Sequence, residues 1–194
     1  YADRRLRGAV HYIIHVVDPT TVTLLLPITG AFVRRPVLIK CDADVPTIPF
    51  GAQLDPERMV ILLQSAFVRN AGDHAAVLAA AGRVTQSATA EYADDGVSQA
   101  ITVRGGVSLA YNVKVPNPVV LAPYRTFIEV EQPAGEFIFR AHGGGEKEKP
   151  TFSLHEADGG AWRLQAMERI AAWLCTKIAD AQEAWILQLA GGRD

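Results

Sequence analysis

Six acidic residues in the second half of the chain are the first whose types and spacing suggest chemistry: Asp94, Asp95, Glu129, Glu131, Glu156 and Asp158. Residues 125–131 read as a strand, in which alternation sets Arg125, Phe127, Glu129 and Glu131 on one face. Two carboxylates at i and i+2 can hold a divalent cation, or divide acid and base roles where their surroundings differ. Glu129, Glu131, Asp94 and Asp95 are the metal-site candidates. His142 and His155 bracket a nearby glycine-rich loop and could add ligands. A plainer reading makes Asp94-Asp95-Gly96 a turn, Asp158 a helix cap and both glutamates solvent-facing. Residue type alone leaves both readings open.

Four arginines lie beside these acids: Arg104, Arg125, Arg140 and Arg163. Pairing with the acids is the commoner fate of such residues. The alternative is a set of planar guanidinium forks presented to a ligand phosphate or carboxylate. With Tyr124 and Trp162 they form the candidate nucleotide-recognising surface. His11 and His15 are four apart but fall in a β-rich run, where they share a face with Ile13, so that spacing argues little for metal. No GK[ST] follows Gly105-Gly106 or Gly143-Gly144-Gly145, and neither GxSxG nor HExxH occurs. The sequence names no cofactor and no catalytic residue.

The elements that must position these residues predict an α+β fold, with mainly antiparallel sheets of hairpins packed on two or three helices. Runs 9–17 and 21–28 flank the turn Asp18-Pro19-Thr20, and 37–43 reads as a third strand. Asp55-Pro56-Glu57 opens a helix to about Val68 whose apolar composition predicts burial on most sides. A second helix is expected from Asp73 to Ala81, stopped by Gly82. Hairpins are expected over 85–104 and over 126–141. Three prolines make 115–124 an edge, a bulge or a crossover. A solvated loop is expected at 142–150, and a long amphipathic helix from about Gly160 to Glu183, capped by Asp158.

A chain of 194 residues, 49% hydrophobic and 21% charged, fits one globular domain. The net charge of −2 lacks the footprint of a strong non-specific DNA binder, and Arg4-Arg5-Leu6-Arg7 is a short basic run. Cys41 and Cys175 lie in apolar contexts and read as small buried thiols of a reducing compartment. No apolar run approaches the roughly 18 residues of a membrane span. The chain opens on Tyr1 and becomes β-rich by residue 9, so we expect the natural protein to continue upstream, making residues 1–194 its C-terminal part.

Several blocks are more distinctive than core packing demands. They include Asp18-Pro19-Thr20, Leu63-Gln64-Ser65-Ala66-Phe67-Val68 and Glu156-Ala157-Asp158-Gly159-Gly160-Ala161-Trp162. On these the chain resembles the phage- and prophage-encoded YfdQ-like family, a family without an assigned activity, over most of its length. The resemblance implies a bacteriophage origin, an N-terminal extension and, by association, a place among early genes. It supplies no catalytic residue. The resulting expectation is a cytoplasmic, non-enzymatic binding protein of the infected bacterium, acting in early phage nucleic-acid metabolism. A counter-defence protein that sequesters a host nucleotide signal or inhibits a host protein is the second expectation; a metal-dependent hydrolase using the acidic residues is the third. A homo-oligomer is expected, with Trp185, Ile186 and Leu189 as interface candidates.

Overall fold

A computed structural model describes residues 12–26, 34–85, 89–94, 98–105, 109–143, 150–178 and 185–189, with side chains described outside 84–114 and 185–189. In chain order the elements are β1 (Tyr12–Asp18), β2 (Thr21–Leu25), β3 (Val37–Asp42), α1 (Pro56–Ala66), α2 (His74–Thr85), β4 (Thr89–Asp94) and β5 (Ser98–Gly105). There follow β6 (Leu109–Pro116), β7 (Val119–Leu121), β8 (Gly135–His142), β9 (Thr151–Glu156), α3 (Trp162–Ile178) and β10 (Trp185–Leu189). The fold is α+β. The chain sorts into two compact units, one of residues 1–45, 125–131 and 163–194, the other of 46–124 and 132–162.

In the first unit, Asp18 closes the β1–β2 turn by accepting the Thr20 N–H at 2.7 Å and its hydroxyl at 2.8 Å. The sheet order is β10-β1-β2-β3, antiparallel except for the parallel β1–β10 pair. Val16 faces Val130, Met167 and Ile170 in a small core that Val22, Phe127, Trp173 and Leu174 extend. The apolar stripe of α3 supplies half of that core, as its periodicity predicts. Two details differ. Asp158 Oδ1 accepts the Gly160 N–H, and Gly159 and Gly160 both have positive φ, so a turn separates the expected cap from the helix. Residues 125–131 are not a strand: Ile128 and Glu129 form a turn, with Thr126 donating its hydroxyl to the Pro19 carbonyl. The expected 126–141 hairpin is therefore replaced by antiparallel pairing of β8 with β7 and β9.

In the second unit Asp55 caps α1 as predicted, accepting the Arg58 N–H at 2.9 Å. Only Met59, Leu63 and Ala66 of α1 are buried, and Ile61 is 56% exposed, so the helix buries one stripe rather than most sides. Gly82 does not stop α2, which runs on to Thr85. Met59, Leu63, Phe67 and Val77 meet Leu121, Phe137, Phe139 and Phe152 in the main core. Phe137 stacks on Phe50 at 5.6 Å and meets Phe67 edge-on at 6.4 Å. The proline-rich 115–124 stretch yields β7, an edge strand, as its composition requires. Strands β4, β5 and β6 form a separate antiparallel sheet.

The expectations for Arg4-Arg5-Leu6-Arg7, His11, the 95–97 turn, the centre of the 142–150 loop and the helix beyond 178 lie outside the described residues. Cys41 and Cys175 are both exposed, correcting the expectation of buried thiols: one stands on an edge strand and the other on the outer side of α3.

Candidate functional site

The densest set of functional side chains lies on one face of the β7-β8-β9 sheet. Strand β8 alternates buried Phe137 and Phe139 with Ile138 and Arg140 on the opposite face, to which His142 also belongs. Register sets Arg140 opposite Ser153, His142 opposite Thr151 and Ile138 opposite His155. The polar face therefore carries Arg140, His142, Thr151, Ser153 and His155 together.

Ser153 is the pivot. It is 1% exposed, and its hydroxyl oxygen lies 2.8 Å from His142 Nε2 and 3.0 Å from His155 Nε2. A hydroxyl has one proton. With its one proton and two lone pairs, Ser153 can donate to only one of the two imidazoles and accepts from any ring that presents an Nε2–H. The residues 51–54 border β9 through the Gly51 N–H to Leu154 carbonyl bond and the reciprocal Leu54–Phe152 pair. Gly51 has φ +80, a conformation that favours glycine, and a Cβ there would make only ordinary contact with the His155 ring, 3.7 Å from Nδ1. The Thr151 hydroxyl donates to Gln53 Oε1 at 3.2 Å. The arrangement gathers a guanidinium, two imidazoles and two hydroxyls on one rigid sheet face.

As a nucleophilic centre it is poorly formed, because Ser153 sits in a regular strand beneath its neighbours rather than on an exposed turn. Its guanidinium and imidazoles are groups of the kind from which anions accept hydrogen bonds.

The other candidates fall elsewhere. Arg140 belongs to this face. Arg104 is on β5 in the same unit with its side chain outside the described residues, whereas Arg125 and Arg163 belong to the other unit. Neither unit by itself carries the four arginines. Arg125 is 7% exposed, Arg163 is exposed on the first turn of α3, Trp162 is half-buried, and Tyr124 holds the Ala66 carbonyl through its backbone N–H at 2.8 Å. Because 125–131 is not a strand, Glu129 and Glu131 do not share a face by alternation. Glu131 pairs with Arg169 at 3.6 Å, and Glu129 borders an apolar pocket. Asp94 ends β4 with its side chain outside the described residues, as is all of Asp95. No group of three or more His, Cys, Asp or Glu capable of holding a metal occurs among the described residues. Trp185, Ile186 and Leu189 pair through β10 with Tyr12, Ile13 and Val16 of β1; their side chains too lie outside the described residues.

What reading residue types missed is Ser153. The signal was the alternation Thr151, Ser153, His155, but only the β8 register brings His142 to it.

These features define an α+β protein with one polar sheet face. Comparison of the chain with family models, with characterised proteins and with solved structures gave no match. No helix among the described residues is long and apolar enough to cross a membrane.

Proposed function

We propose that the chain is a non-enzymatic binding protein whose β8–β9 face takes a phosphate-bearing ligand, a nucleotide or a nucleic-acid backbone. The observation that carries this is the Ser153 hydroxyl clamped between His142 and His155 with Arg140 directly opposite in register. Phosphate oxygens accept from guanidinium and imidazole donors alike, and Ser153 holds the two imidazoles in place before a ligand arrives. The resemblance to phage-encoded proteins supports a role in early phage nucleic-acid metabolism, with sequestration of a signalling nucleotide as its counter-defence form. Calorimetric titration of the full chain with mononucleotides, cyclic dinucleotides and single-stranded DNA tests this. Binding that weakens about tenfold in Arg140→Ala supports it. No binding to any of the three at low salt overturns it.

Self-association is the second part of the reading, favoured by β3. All six of its residues are exposed although the strand is hydrogen-bonded to β2, with Val37 58%, Leu38 53% and Ile39 50% exposed at the sheet edge. Exposed apolar edges recruit further strands. We commit to a second copy of this chain as the occupant. An antiparallel approach centred on Cys41 sets Lys40 of each copy opposite Asp42 of the other, which is complementary in both directions. Sedimentation should give a dimer that Leu38→Lys dissociates; a monomer at all concentrations removes the idea.

A further inference from the structure

Beneath the β2–β3 pair, the first unit holds a pocket of about 270 Å³ that the sheet-face site does not use and that shares only Cys41 with the β3 edge. Its walls are Val22, Val130, Ile170 and Leu174, with the rings of Phe127 and Trp173. Fully apolar cavities of about 150 Å³ already admit a benzene-sized guest, so this volume has room for a ring with a short side chain. Two lining residues depart from the apolar pattern, Cys41 and Glu129. Glu129 is exposed and makes no ion pair or side-chain hydrogen bond among the described residues, unlike Glu131 on Arg169.

We infer that this pocket binds a compact arylalkyl ammonium, its ring between the aliphatic wall and the aromatics and its cationic end on Glu129. Three observations converge. The volume and apolar walls select a small hydrophobic body. The aromatic residues Phe127 and Trp173 favour a cation over an anion at their faces; Lys177 Nζ, 5.7 Å from the Trp173 centroid, carries the same charge as the guest, so the ammonium is assigned to Glu129 and not to that ring. The Glu129 carboxylate repels fatty acids and aromatic carboxylates while offering an ammonium its counter-charge.

Cys41 lets simple probe compounds report on the pocket, whatever its natural ligand. It lines the pocket, whereas Cys175, the other exposed thiol, does not, and so serves as an internal control. The full chain, at fixed concentration and ionic strength, is alkylated with iodoacetamide alongside phenethylammonium, phenethyl alcohol or 3-phenylpropionate. Modification of each cysteine is followed by peptide mass spectrometry, and tryptophan fluorescence gives the affinity. The expected result is that the ammonium slows Cys41 modification about tenfold at saturation, leaves Cys175 unchanged, and binds more tightly than the alcohol, with the carboxylate weakest. Glu129→Gln should weaken ammonium binding about tenfold and leave alcohol binding unchanged. Equal binding of all three probes, an indifferent Glu129→Gln, or no protection of Cys41 by any probe at millimolar concentration would each overturn the assignment. These outcomes are independent of nucleotide binding at the β8–β9 face.

Discussion

Asp73 and Val120 hold each other twice: the Asp73 backbone N–H donates to the Val120 carbonyl, and the Asp73 carboxylate accepts the Val120 N–H, both at 2.8 Å. Asp73 stands immediately before α2, where an acidic side chain usually turns inward to cap the helix. Here it reaches across to β7 and finishes one edge of the β7-β8-β9 sheet. A helix start and a sheet edge thereby become one mechanical joint.

Asp73→Ala should therefore destabilise the protein by about 1–3 kcal/mol, since it removes a charge-assisted acceptor. Val120 is 40% exposed, so water can replace part of the bond and the lower end of that range is expected. Urea denaturation at neutral pH measures the change, and a midpoint identical to that of the parent chain would show that the joint contributes nothing.

The neighbouring glycine gives a sharper contrast. Gly72 has φ +54, and a Cβ there would fall 2.3 Å from the Val120 carbonyl oxygen, a backbone atom that cannot step aside. Gly72→Ala should cost more than about 2 kcal/mol. Gly82 lies inside α2 with nothing within 4 Å of its would-be Cβ. Gly82→Ala should instead stabilise the chain by roughly 0.5–1 kcal/mol. Thermal melts of the two variants should shift in opposite directions.

Asp42 gives the pH prediction. The Lys40 ammonium at 2.8 Å, and then the Thr21 hydroxyl, hold its carboxyl below the usual carboxylate value. A carboxyl lowered in the folded state contributes stability above its unfolded pKa and loses it as pH falls through the folded value. The group is fully solvated, so the effect on stability is small and the titration itself is the readout. In Lys40→Ala, the Asp42 carboxyl carbon should titrate at higher pH by NMR. An unmoved midpoint would mean that the ion pair does not persist in solution.

Ser153→Ala tests the clamp rather than the fold. It removes the partner shared by His142 and His155 and should cost about 0.5–1.5 kcal/mol, because His155 is exposed and His142 half-buried and water can take over part of the lost bonding. If the clamp positions ligand donors, affinity for the phosphate-bearing ligand should fall as well. A variant destabilised as expected but binding as before would assign Ser153 to packing alone.

Much of the fold was legible wherever a local interaction decides the structure. Asp55-Pro56 declares the start of α1, because cap and proline act within a single turn. Asp18-Pro19-Thr20 declares the β1–β2 turn for the same reason. Residues 125–131 misled, since Thr126, Phe127, Ile128 and Val130 have strand composition. Their conformation is instead set by distant partners such as the Pro19 carbonyl and the α3 core. Gly82 misled in the other direction: a glycine weakens a helix by about 1 kcal/mol without having to end it, and α2 runs on to Thr85. The site was half legible. Arg140, His142 and His155 stood out by type, but what joins them is the pairing of β8 with β9, and register is not a property of either segment alone.

The parallel pairing of β1 with β10 has a consequence in time. A parallel pair needs a crossover, and this one contains the whole of the other unit. As the polypeptide leaves the ribosome, residues 46–124 and 132–162 can gather around their own phenylalanine core while β1 is still without its parallel neighbour. The first described strand thus gains its last partner only when residues 185–189 emerge, and an early stop would leave β1 as a raw edge beside a finished neighbour.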